Sequence, residues 1–251
     1  MTTLTLITGA GRGLGRNTAL SIACRGGDIV LTYRSNGTEA QSVVAEIAAL
    51  GRKAVALRLD SADVSAFPAF VKMLTGVLRD IFGRDKLDAI VNNAGHGEYA
   101  LIADTTEAQF DSLFDVHVKG PFFLVQALLP LLADGGRIVN IGTGLTRISY
   151  PGFSAYAAAK AASDMLTVYM ARELGARGIA VNTVAPGAIE TDFGGGLVRD
   201  NPDVNAQFAG MTAMGRVGVP DDIGPMIASR LGPENRWVTG PRLEVSGGQV
   251  I

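Results

Sequence analysis

The sequence predicts an α/β fold in which helices cover both faces of a doubly wound, parallel sheet of about seven strands. Two observations lead to this prediction. Short apolar runs alternate with longer helical patterns from one end of the chain to the other. The short runs are continuously apolar, as is typical of strands whose two faces are both buried. No linker or change in composition divides the chain, so we expect a single domain over residues 1–251.

The apolar runs predict strands at residues 4–8, 29–33, 54–59, 87–92, 137–141, 180–184 and 242–245. The patterns between them predict helices at 16–24, 38–50, 64–82, 107–132 and 155–176. The region 187–214 fits neither pattern and contains three consecutive glycines at 194–196. We therefore predict that this region forms a mobile substrate flap with one short helix.

Charge and hydropathy limit the classes of partner. The net charge is −2, with acidic and basic residues interspersed, so neither nucleic acid nor an anionic membrane is expected as a partner. The most apolar stretch, residues 121–132, is shorter than the roughly 20 residues that cross a bilayer. We predict that it forms a helix in the core or in a subunit contact.

The cysteine and histidine content bears on location and metal binding. A single cysteine, Cys24, allows no internal disulfide, which favours a reducing, cytoplasmic location. Cys24 lies in an apolar helical pattern, so we expect its side chain to be buried and unreactive. Two histidines that are far apart in the sequence make a metal site unexpected.

A glycine-rich segment follows the first predicted strand, and ligands of doubly wound sheets bind beyond the carboxyl ends of the strands. It reads Thr-Gly-Ala-Gly-Arg-Gly-Leu-Gly over residues 8–15. Glycines let the backbone turn tightly and approach a pyrophosphate, which then rests on the amides of the following helix. The position between a strand and a helix favours a dinucleotide site over a simple tight turn.

The end of the second strand bears on the choice of dinucleotide. NAD sites usually offer an acid there to the adenosine ribose, whereas this chain has Tyr33, Arg34 and Ser35. Together with Arg12 of the glycine segment, Arg34 would suit a ribose 2′-phosphate, so we predict that NADP(H) is favoured over NAD(H). The alternative is that both arginines are ordinary solvated side chains.

Tyr156 and Lys160 stand out in a run of small residues, Tyr-Ala-Ala-Ala-Lys. Residues four apart on a helix lie on the same face, so the phenol and the ammonium would be neighbours. Taken alone, such a pair is more often an exposed tyrosine over a lysine stem than a catalytic pair. Its meaning therefore depends on the motifs around it.

These motifs together resemble those of the short-chain dehydrogenases/reductases, in the branch that includes NADPH-dependent ketoreductases and 3-oxoacyl-carrier-protein reductases. The resemblance rests on TGxxxGxG at 8–15, NNAG at 92–95, YxxxK at 156–160, and Pro186-Gly187 followed by Thr191. It implies a Rossmann fold and a set of cofactor-binding residues. These are Gly9, Arg12, Gly13, Leu14, Gly15, Tyr33, Arg34, Ser35, Asp60, Ser61, Asn93, Ala94, Gly95, Tyr156, Lys160, Pro186, Gly187, Ile189 and Thr191. Asp60 would contact the adenine, unless it only caps a turn.

The resemblance also implies catalytic roles for Thr143, Tyr156, Lys160 and His117. Tyr156 would act as general acid and base, with the ammonium of Lys160 lowering its pKa and also binding the nicotinamide ribose. Thr143 stands thirteen residues before Tyr156, where the family usually has a serine that holds the substrate oxygen. The alternative for Thr143 is a plain strand-end threonine.

His117 stands where the fourth catalytic residue of the family is normally asparagine. In relatives this residue marks a helix irregularity, whose freed carbonyl holds a water linked to the lysine. A histidine titrates near pH 6.5 and would be able to join the proton relay; the alternative is a structural histidine packed in the bend. His96, just after NNAG, would either line the pocket mouth or have no role.

The sequence thus predicts an NADP(H)-dependent oxidoreductase that transfers a hydride between nicotinamide and a ketone or secondary alcohol. The alternative is a cofactor-binding sensor or scaffold that has lost turnover. A partly apolar small-molecule substrate is expected from the pocket residues Tyr99, Leu145, Ile148, Tyr150, Phe153, Phe193 and Met211. The resemblance further implies a homotetramer or dimer, with the helices at 107–132 and 155–176 in one interface.

Overall fold

A computed structural model describes residues 2–251 and contains one seven-stranded sheet. Its strands are β1 (Leu4–Ile7), β2 (Asp28–Tyr33), β3 (Ala54–Arg58), β4 (Leu87–Asn92), β5 (Leu132–Ile141), β6 (Ala180–Pro186) and β7 (Arg242–Val245). They are ordered β3-β2-β1-β4-β5-β6-β7, and every neighbouring pair is parallel. The predicted parallel α/β sheet is confirmed. Its order reverses between β1 and β4, which is the switch point where such sheets bind ligands.

Helices cover both faces of this sheet. They are α1 (Gly13–Cys24), α2 (Gly37–Ala49), α3 (Phe67–Phe82), α4 (Glu107–Phe114), α5 (Gly120–Leu128), α6 (Ser154–Leu174), α7 (Leu197–Asp200), α8 (Pro202–Gly210) and α9 (Pro220–Arg230). On one face α3, α5 and α6 build an apolar core with alternate strand residues such as Val30. On the other face α1, α2 and α9 build a second core with the intervening strand residues, such as Leu31. Each strand is therefore buried on both sides, which explains the continuous apolar runs.

The predicted helix at 107–132 is interrupted in the middle. α4 is followed by a π-helical turn over Asp115–Lys119, before α5 begins. Pro121 has no amide hydrogen for the carbonyl of His117 four residues earlier, so the α-helical pattern cannot continue through this point. The amide of Gly120 instead bonds the carbonyl of Asp115, five residues back. At the other end, Leu132 belongs to β5 and not to the helix.

The region 187–214 contains more helix than the sequence predicts. A 3₁₀ turn over Phe193–Gly196 is followed by α7 and α8, instead of one short helix. The side chain of Asn201 caps α8, and Pro202 occupies its first turn. This Asn-Pro start is a known helix signal that the glycine-rich composition of the region obscured.

Cys24 is exposed, so the expectation of a buried thiol is wrong. The buried side of α1 consists of Gly15, Thr18, Ala19, Ile22 and Ala23, which recur at helical spacing. Cys24 is the last residue of α1 and lies outside this buried stripe, on the side of the helix that faces solvent.

The described part of the chain has neither a membrane-spanning helix nor a cluster of metal-ligating side chains. None of its helices is both long enough and apolar enough to cross a membrane. No group of three or more His, Cys, Asp or Glu side chains among residues 2–251 is placed to hold a metal ion.

A buried hydrogen-bond network joins β4, β5, β6 and α6 near the carboxyl edge of the sheet. Asn92 donates to the Asn140 side chain at 2.7 Å, and Asn140 donates to the Thr167 hydroxyl at 2.8 Å. The Thr167 hydroxyl also lies 2.8 Å from that of Thr183 and 3.2 Å from the carbonyl of Ser163. Because these groups are buried, each depends on its partners for the hydrogen bonds that water would otherwise supply.

We expect Thr167→Val to destabilise the protein by about 1–3 kcal/mol, because it leaves the buried amide of Asn140 without its partner. Thr5→Val is the matched control: Thr5 is equally buried, but its hydroxyl has no partner within residues 2–251. Its replacement should leave stability unchanged or raise it. Urea unfolding measures both variants, and an equal loss in the two would contradict the role assigned to the network.

Candidate active site

The glycine loop after β1 packs tightly against the loop after β4. A Cβ atom on Gly9 would lie 2.9 Å from the Cα of Ala94, and one on Gly15 would lie 2.5 Å from the side-chain nitrogen of Asn93. That nitrogen donates to the carbonyls of Thr8 and Gly9 at 2.9 and 3.0 Å. The Thr8 hydroxyl accepts from the backbone amides of Asn93 and Ala94 at 3.0 and 2.9 Å. The two motifs thus form one rigid unit.

Gly13 marks an open space in front of α1. Its φ of +56° lies in the left-handed region, and the only atom within 4 Å of an added Cβ would be the Cβ of Thr191, at 3.9 Å. The first amides of α1 have no intrahelical partners and lie at this end of the helix. Leu14 faces the other way and packs against the apolar core. The space and the amides fit a pyrophosphate group, as expected for a dinucleotide.

The end of β2 forms a cationic corner. Arg12, Arg34 and Ser35 are exposed, while Tyr33 is half-buried with its ring against Gly37. Across residues 2–251, no carboxylate lies within ion-pair distance of either arginine. Two exposed, uncompensated guanidinium groups beside the glycine loop fit a ribose 2′-phosphate.

Arg58 is a third guanidinium at this corner, and the sequence reasoning did not include it. It is the last residue of β3, lies opposite Tyr33 in the strand register, and donates from Nε to the carbonyl of Arg34 at 3.3 Å. The signal was available in principle, because the ends of neighbouring parallel strands share one edge of the sheet. Finding it required the pairing register of β2 and β3.

Asp60 and Ser61 follow β3. The carboxylate of Asp60 accepts from the amide of Ala62 at 3.0 Å, which is the capping bond that the sequence left as an alternative. Ser61 is buried, and its carbonyl lies 1.9 Å from the position of a Cβ on Gly120. Glycine at 120 therefore lets the π turn approach this strand end closely.

The segment after β6 faces the glycine loop across the open space. Pro186 ends the strand, and Gly187 donates to the carbonyl of Val245 at 3.2 Å. Ile189 pairs with Gly218 in an isolated bridge. The buried Thr191 accepts from the amide of Phe193 at 3.2 Å and presents its Cβ to Gly13. The predicted covering segment thus lies opposite the loop that it was expected to cover.

Tyr156 and Lys160 lie in the first two turns of α6 and are both 6% exposed. The Nζ of Lys160 lies 5.7 Å from the centroid of the Tyr156 ring and donates to the carbonyl of Ile141, at the end of β5, at 2.8 Å. The ordinary alternative of an exposed tyrosine over a lysine stem is therefore wrong. The pair is held inside the protein, against the carboxyl end of the sheet.

Burial sets the pKa values of this pair. It raises the pKa of Tyr156 above its ordinary value, opposed by the adjacent Thr143 hydroxyl and reinforced by the charge of Asp164. Burial also lowers the pKa of Lys160 from 10.5 to about 8, although Asp164 opposes this change. The expectation that the ammonium lowers the pKa of Tyr156 is not met in the protein alone, because desolvation of a phenolate outweighs a cation that is bonded elsewhere.

Thr143 follows β5 and reaches the same point. It is 9% exposed, and its hydroxyl accepts from the amide of Leu145 at 3.3 Å. The hydroxyl hydrogen is therefore available to another acceptor, and the hydroxyl is close enough to Tyr156 to affect its pKa. The structure thus brings together the Thr143 hydroxyl, the Tyr156 phenol and the Lys160 ammonium. In the sequence, Thr143 stands thirteen residues before Tyr156 and Lys160 stands four residues after it.

His117 lies in the π turn, 3% exposed, with its ring edge-on to that of Tyr156 at a centroid distance of 5.3 Å. Its Nε2 bonds the carbonyl of His96 at 2.7 Å, so this nitrogen carries the proton. Burial and the charge of Lys160 lower the pKa of His117 to about 2. The neutral, packed histidine favours the structural alternative over a titrating member of the relay.

The loop after NNAG is fitted to His117. A Cβ on Gly95 would lie 2.3 Å from Cε1 of His117, so glycine is required at that position. His96 itself lies 3.1 Å from the Ser112 hydroxyl and 3.3 Å from the Glu98 carboxylate. It therefore anchors the loop at the edge of the site.

Aromatic side chains of the predicted pocket pack in pairs, and one of them contacts Tyr156. The centroid of the Phe193 ring lies 5.8 Å from that of Tyr156. A Cβ on Gly97 would lie 2.6 Å from Cζ of Phe193, so a side chain at 97 would push this ring aside. Tyr99 packs on Phe153 at 5.6 Å. Tyr150 contacts the Met211 sulfur and also the ring of Phe208, which the sequence reasoning did not include. Phe208 lies on α8, whose position within 187–214 the sequence did not predict.

Known proteins are similar to this chain in sequence and in fold. A family model described as "Enoyl-(Acyl carrier protein) reductase" matches residues 9–249. The short-chain dehydrogenase/reductase FrzI of Cladobotryum sp is 37% identical over 98% of this chain and 95% of its own length.

Two solved structures are also similar. The promiscuous reductase LugOII, described as catalysing keto-reduction at C1 during lugdunomycin biosynthesis, is 36% identical and covers 99% of this chain and 98% of its own, with a TM-score of 0.94. The angucycline C-6 ketoreductase LanV with bound NADP is 31% identical and covers 99% and 95%, with a TM-score of 0.93. The chain belongs to the short-chain dehydrogenase/reductase family.

Proposed function

We propose that the protein is an NADP(H)-dependent reductase of ketones, which also runs the reverse oxidation of secondary alcohols. The observation that carries this proposal is the convergence of Thr143, Tyr156 and Lys160, all buried, at the end of β5. A phenol beside a hydroxyl and an ammonium is a proton donor in a fixed position. The glycine loop and its open space lie at the same edge of the sheet.

The residues divide the work of reduction. Thr143 donates its hydroxyl hydrogen to the carbonyl oxygen of the substrate and so fixes its direction. Tyr156, whose raised pKa keeps it protonated, gives its proton to that oxygen as the alkoxide forms. Lys160 holds its charge next to the phenol and stabilises the phenolate that remains. When bound, NADPH supplies the hydride; the chain supplies orientation and the proton.

The residues proposed to bind the cofactor form two groups, one for the pyrophosphate and nicotinamide and one for the 2′-phosphate and adenine. The glycine loop, Asn93–Gly95 and residues 186–191 would hold the pyrophosphate and nicotinamide, with Lys160 on the ribose. Arg12, Arg34 and Arg58 would hold the 2′-phosphate, with Asp60 near the adenine. The NADP bound to LanV supports this choice.

A partly apolar, aromatic ketone is the substrate that the pocket favours. In this proposal the pocket is lined by the rings of Tyr99, Phe153, Phe193 and Phe208; Phe193 lies 5.8 Å from the Tyr156 ring, Tyr99 packs on Phe153, and Phe208 packs on Tyr150. Stacked or edge-on rings bind flat aromatic ligands well. The relatives LugOII and LanV, which are described as ketoreductases, support a ketone.

We further propose a cytoplasmic homotetramer of single-domain subunits. Large apolar side chains are exposed on two helical segments, at Phe122 and Phe123 of α5 and at Met165, Val168 and Tyr169 of α6. Exposed apolar groups on neighbouring helices favour burial in a subunit contact. The single cysteine supports a reducing compartment.

Tyr156→Phe should lower kcat for ketone reduction at least about a hundredfold, because the proton donor is lost while the ring remains. The assay is NADPH consumption against a panel of aromatic ketones and 3-oxoacyl thioesters. Tyr169→Phe is the control: this tyrosine is on the same helix but 61% exposed, and its loss should leave kcat unchanged. Cofactor binding with no turnover on any substrate by the unaltered protein would support the sensor alternative.

Removing the cationic corner should weaken NADPH binding selectively. Arg34→Ala and Arg58→Ala should each raise the Kd for NADPH roughly tenfold or more, and leave that for NADH unchanged, because a charged contact to the 2′-phosphate is lost. Titration by cofactor fluorescence measures both constants. Arg79→Ala, an exposed arginine on α3, is the control. Comparable Kd values of the unaltered protein for the two cofactors would refute the preference.

The pH profile of ketone reduction should fall above about 8 and stay flat on the acidic side. Lys160 has its pKa lowered to about 8, so its ammonium is present below that pH and is lost above it. His117, with its pKa lowered to about 2, stays neutral throughout and adds no acidic limb. His117→Asn should therefore keep the shape of the profile. If the unaltered protein showed an inflection near pH 6.5 and His117→Asn abolished it, His117 would be a titrating member of the relay and this prediction would be wrong.

A further inference from the structure

A second charged cluster lies next to the Thr143 turn; one of its members, Asp164, also affects the pKa values of Tyr156 and Lys160 through its charge. Asp164 is one turn beyond Lys160 on α6, and Arg242 is the first residue of β7, the edge strand. The Nε of Arg242 lies 3.3 Å from Oδ2 of Asp164, and their side chains are 22% and 16% exposed. The pair joins the catalytic helix to the last strand of the sheet.

Arg242 contacts the backbone of the catalytic loop. Its Nη2 donates to the carbonyl of Thr143 at 2.6 Å, while its Nη1 donates to Glu244 at 3.2 Å. The guanidinium group therefore hydrogen-bonds the loop and Glu244 and is ion-paired with Asp164, and these three contacts restrict its orientation. No other side chain of residues 2–251 except the hydroxyl of Thr146 bonds this carbonyl.

Asp164 completes the support from the other side. Its Oδ2 lies 3.1 Å from the Thr146 hydroxyl, which itself lies 3.3 Å from the Thr143 carbonyl. The turn from Thr143 to Thr146 is thus held by α6 and β7 together. Thr143 has extended backbone angles. Its β-branched side chain has few χ1 rotamers, so a fixed backbone limits the directions in which the hydroxyl can point.

Gly142 makes room for this cluster. A Cβ at this position would lie 2.5 Å from Cγ2 of Thr183 and 3.2 Å from Oδ1 of Asp164. Any side chain at 142 would therefore push Asp164 and β6 away from the loop. The position of Asp164 beside the loop therefore depends on a glycine at 142.

We propose that Asp164 and Arg242 are positioning residues, whose ion pair holds the Thr143 backbone so that its hydroxyl faces the substrate oxygen. Neither touches the substrate, and the inference rests on the proposed function of Thr143. Their loss should act on the turnover step and not on cofactor binding.

Arg242→Met tests this in the full-length protein. We expect kcat for ketone reduction to fall about tenfold or more, because a small displacement of a reacting group is costly, while the Kd for NADPH stays unchanged. Arg242→Lys should recover part of the loss. The matched control is Arg52→Met. The ion pair of Arg52 with Asp28 has similar exposure, 25% and 16%, but Asp28 is the first residue of β2, at the edge of the sheet away from the active site. This control should keep kcat unchanged.

A double-mutant cycle separates positioning from general damage. With Thr143→Val as background, Arg242→Met should lower kcat by less than about threefold, because there is no longer a hydroxyl to position. Losses that multiply in the double variant would overturn the inference. An unchanged kcat in Arg242→Met alone, with Thr143→Val impaired, would do the same and leave the proposed function standing.

Hydrogen–deuterium exchange gives a readout that needs no turnover. The amides of residues 143–148 should exchange about tenfold faster in Arg242→Met and Asp164→Asn than in the unaltered protein or Arg52→Met. Asp164→Asn keeps the size of the side chain and replaces Arg242→Met if that variant does not fold. Equal exchange in all proteins overturns the inference. If the unaltered protein reduces no ketone, the proposed function fails, and the exchange rates alone decide whether the pair holds the loop.

Discussion

The buried bonds that run from Asn92 through Asn140 and Thr167 to Thr183 hold α6 against the carboxyl ends of three strands. Apolar packing alone tolerates small shifts between a helix and a sheet, whereas a buried polar group must find its partner at one distance. The helix that carries the tyrosine and the lysine is therefore placed in one register relative to the loop after β5. The geometry of the site depends on that register.

Exclusion of water governs the electrostatics of the same region. Burial raises the pKa of Tyr156 and lowers those of Lys160 and His117, so each of the three groups is moved toward its neutral form. A protonated phenol is the form that reduction needs, and a histidine that cannot take a proton cannot divert one. Low dielectric thus selects protonation states before any substrate enters, while Asp164 opposes the loss of charge on Lys160.

The sequence was sufficient wherever the deciding interactions are local. Strand and helix positions follow from apolar periodicity, and the seven predicted strands are all present within a few residues at their ends. There are three exceptions. Pro121 breaks the long helix, Asn201 starts α8 inside a glycine-rich region, and α9 was not among the predicted helices. Cys24 was placed wrongly because an apolar pattern does not by itself show which side of a helix faces the core.

The amino-acid sequence by itself determined the α/β class, the glycine loop, the tyrosine–lysine pair and the family, because each depends on the order and spacing of residues along the chain. Only the tertiary structure decided which distant residues meet. Arg58 joins Arg34 through strand pairing, Phe208 reaches the pocket on α8, and Arg242 arrives behind Thr143 from the last strand. The pKa values belong to the tertiary structure too, because desolvation is a property of the whole packed protein and not of any segment.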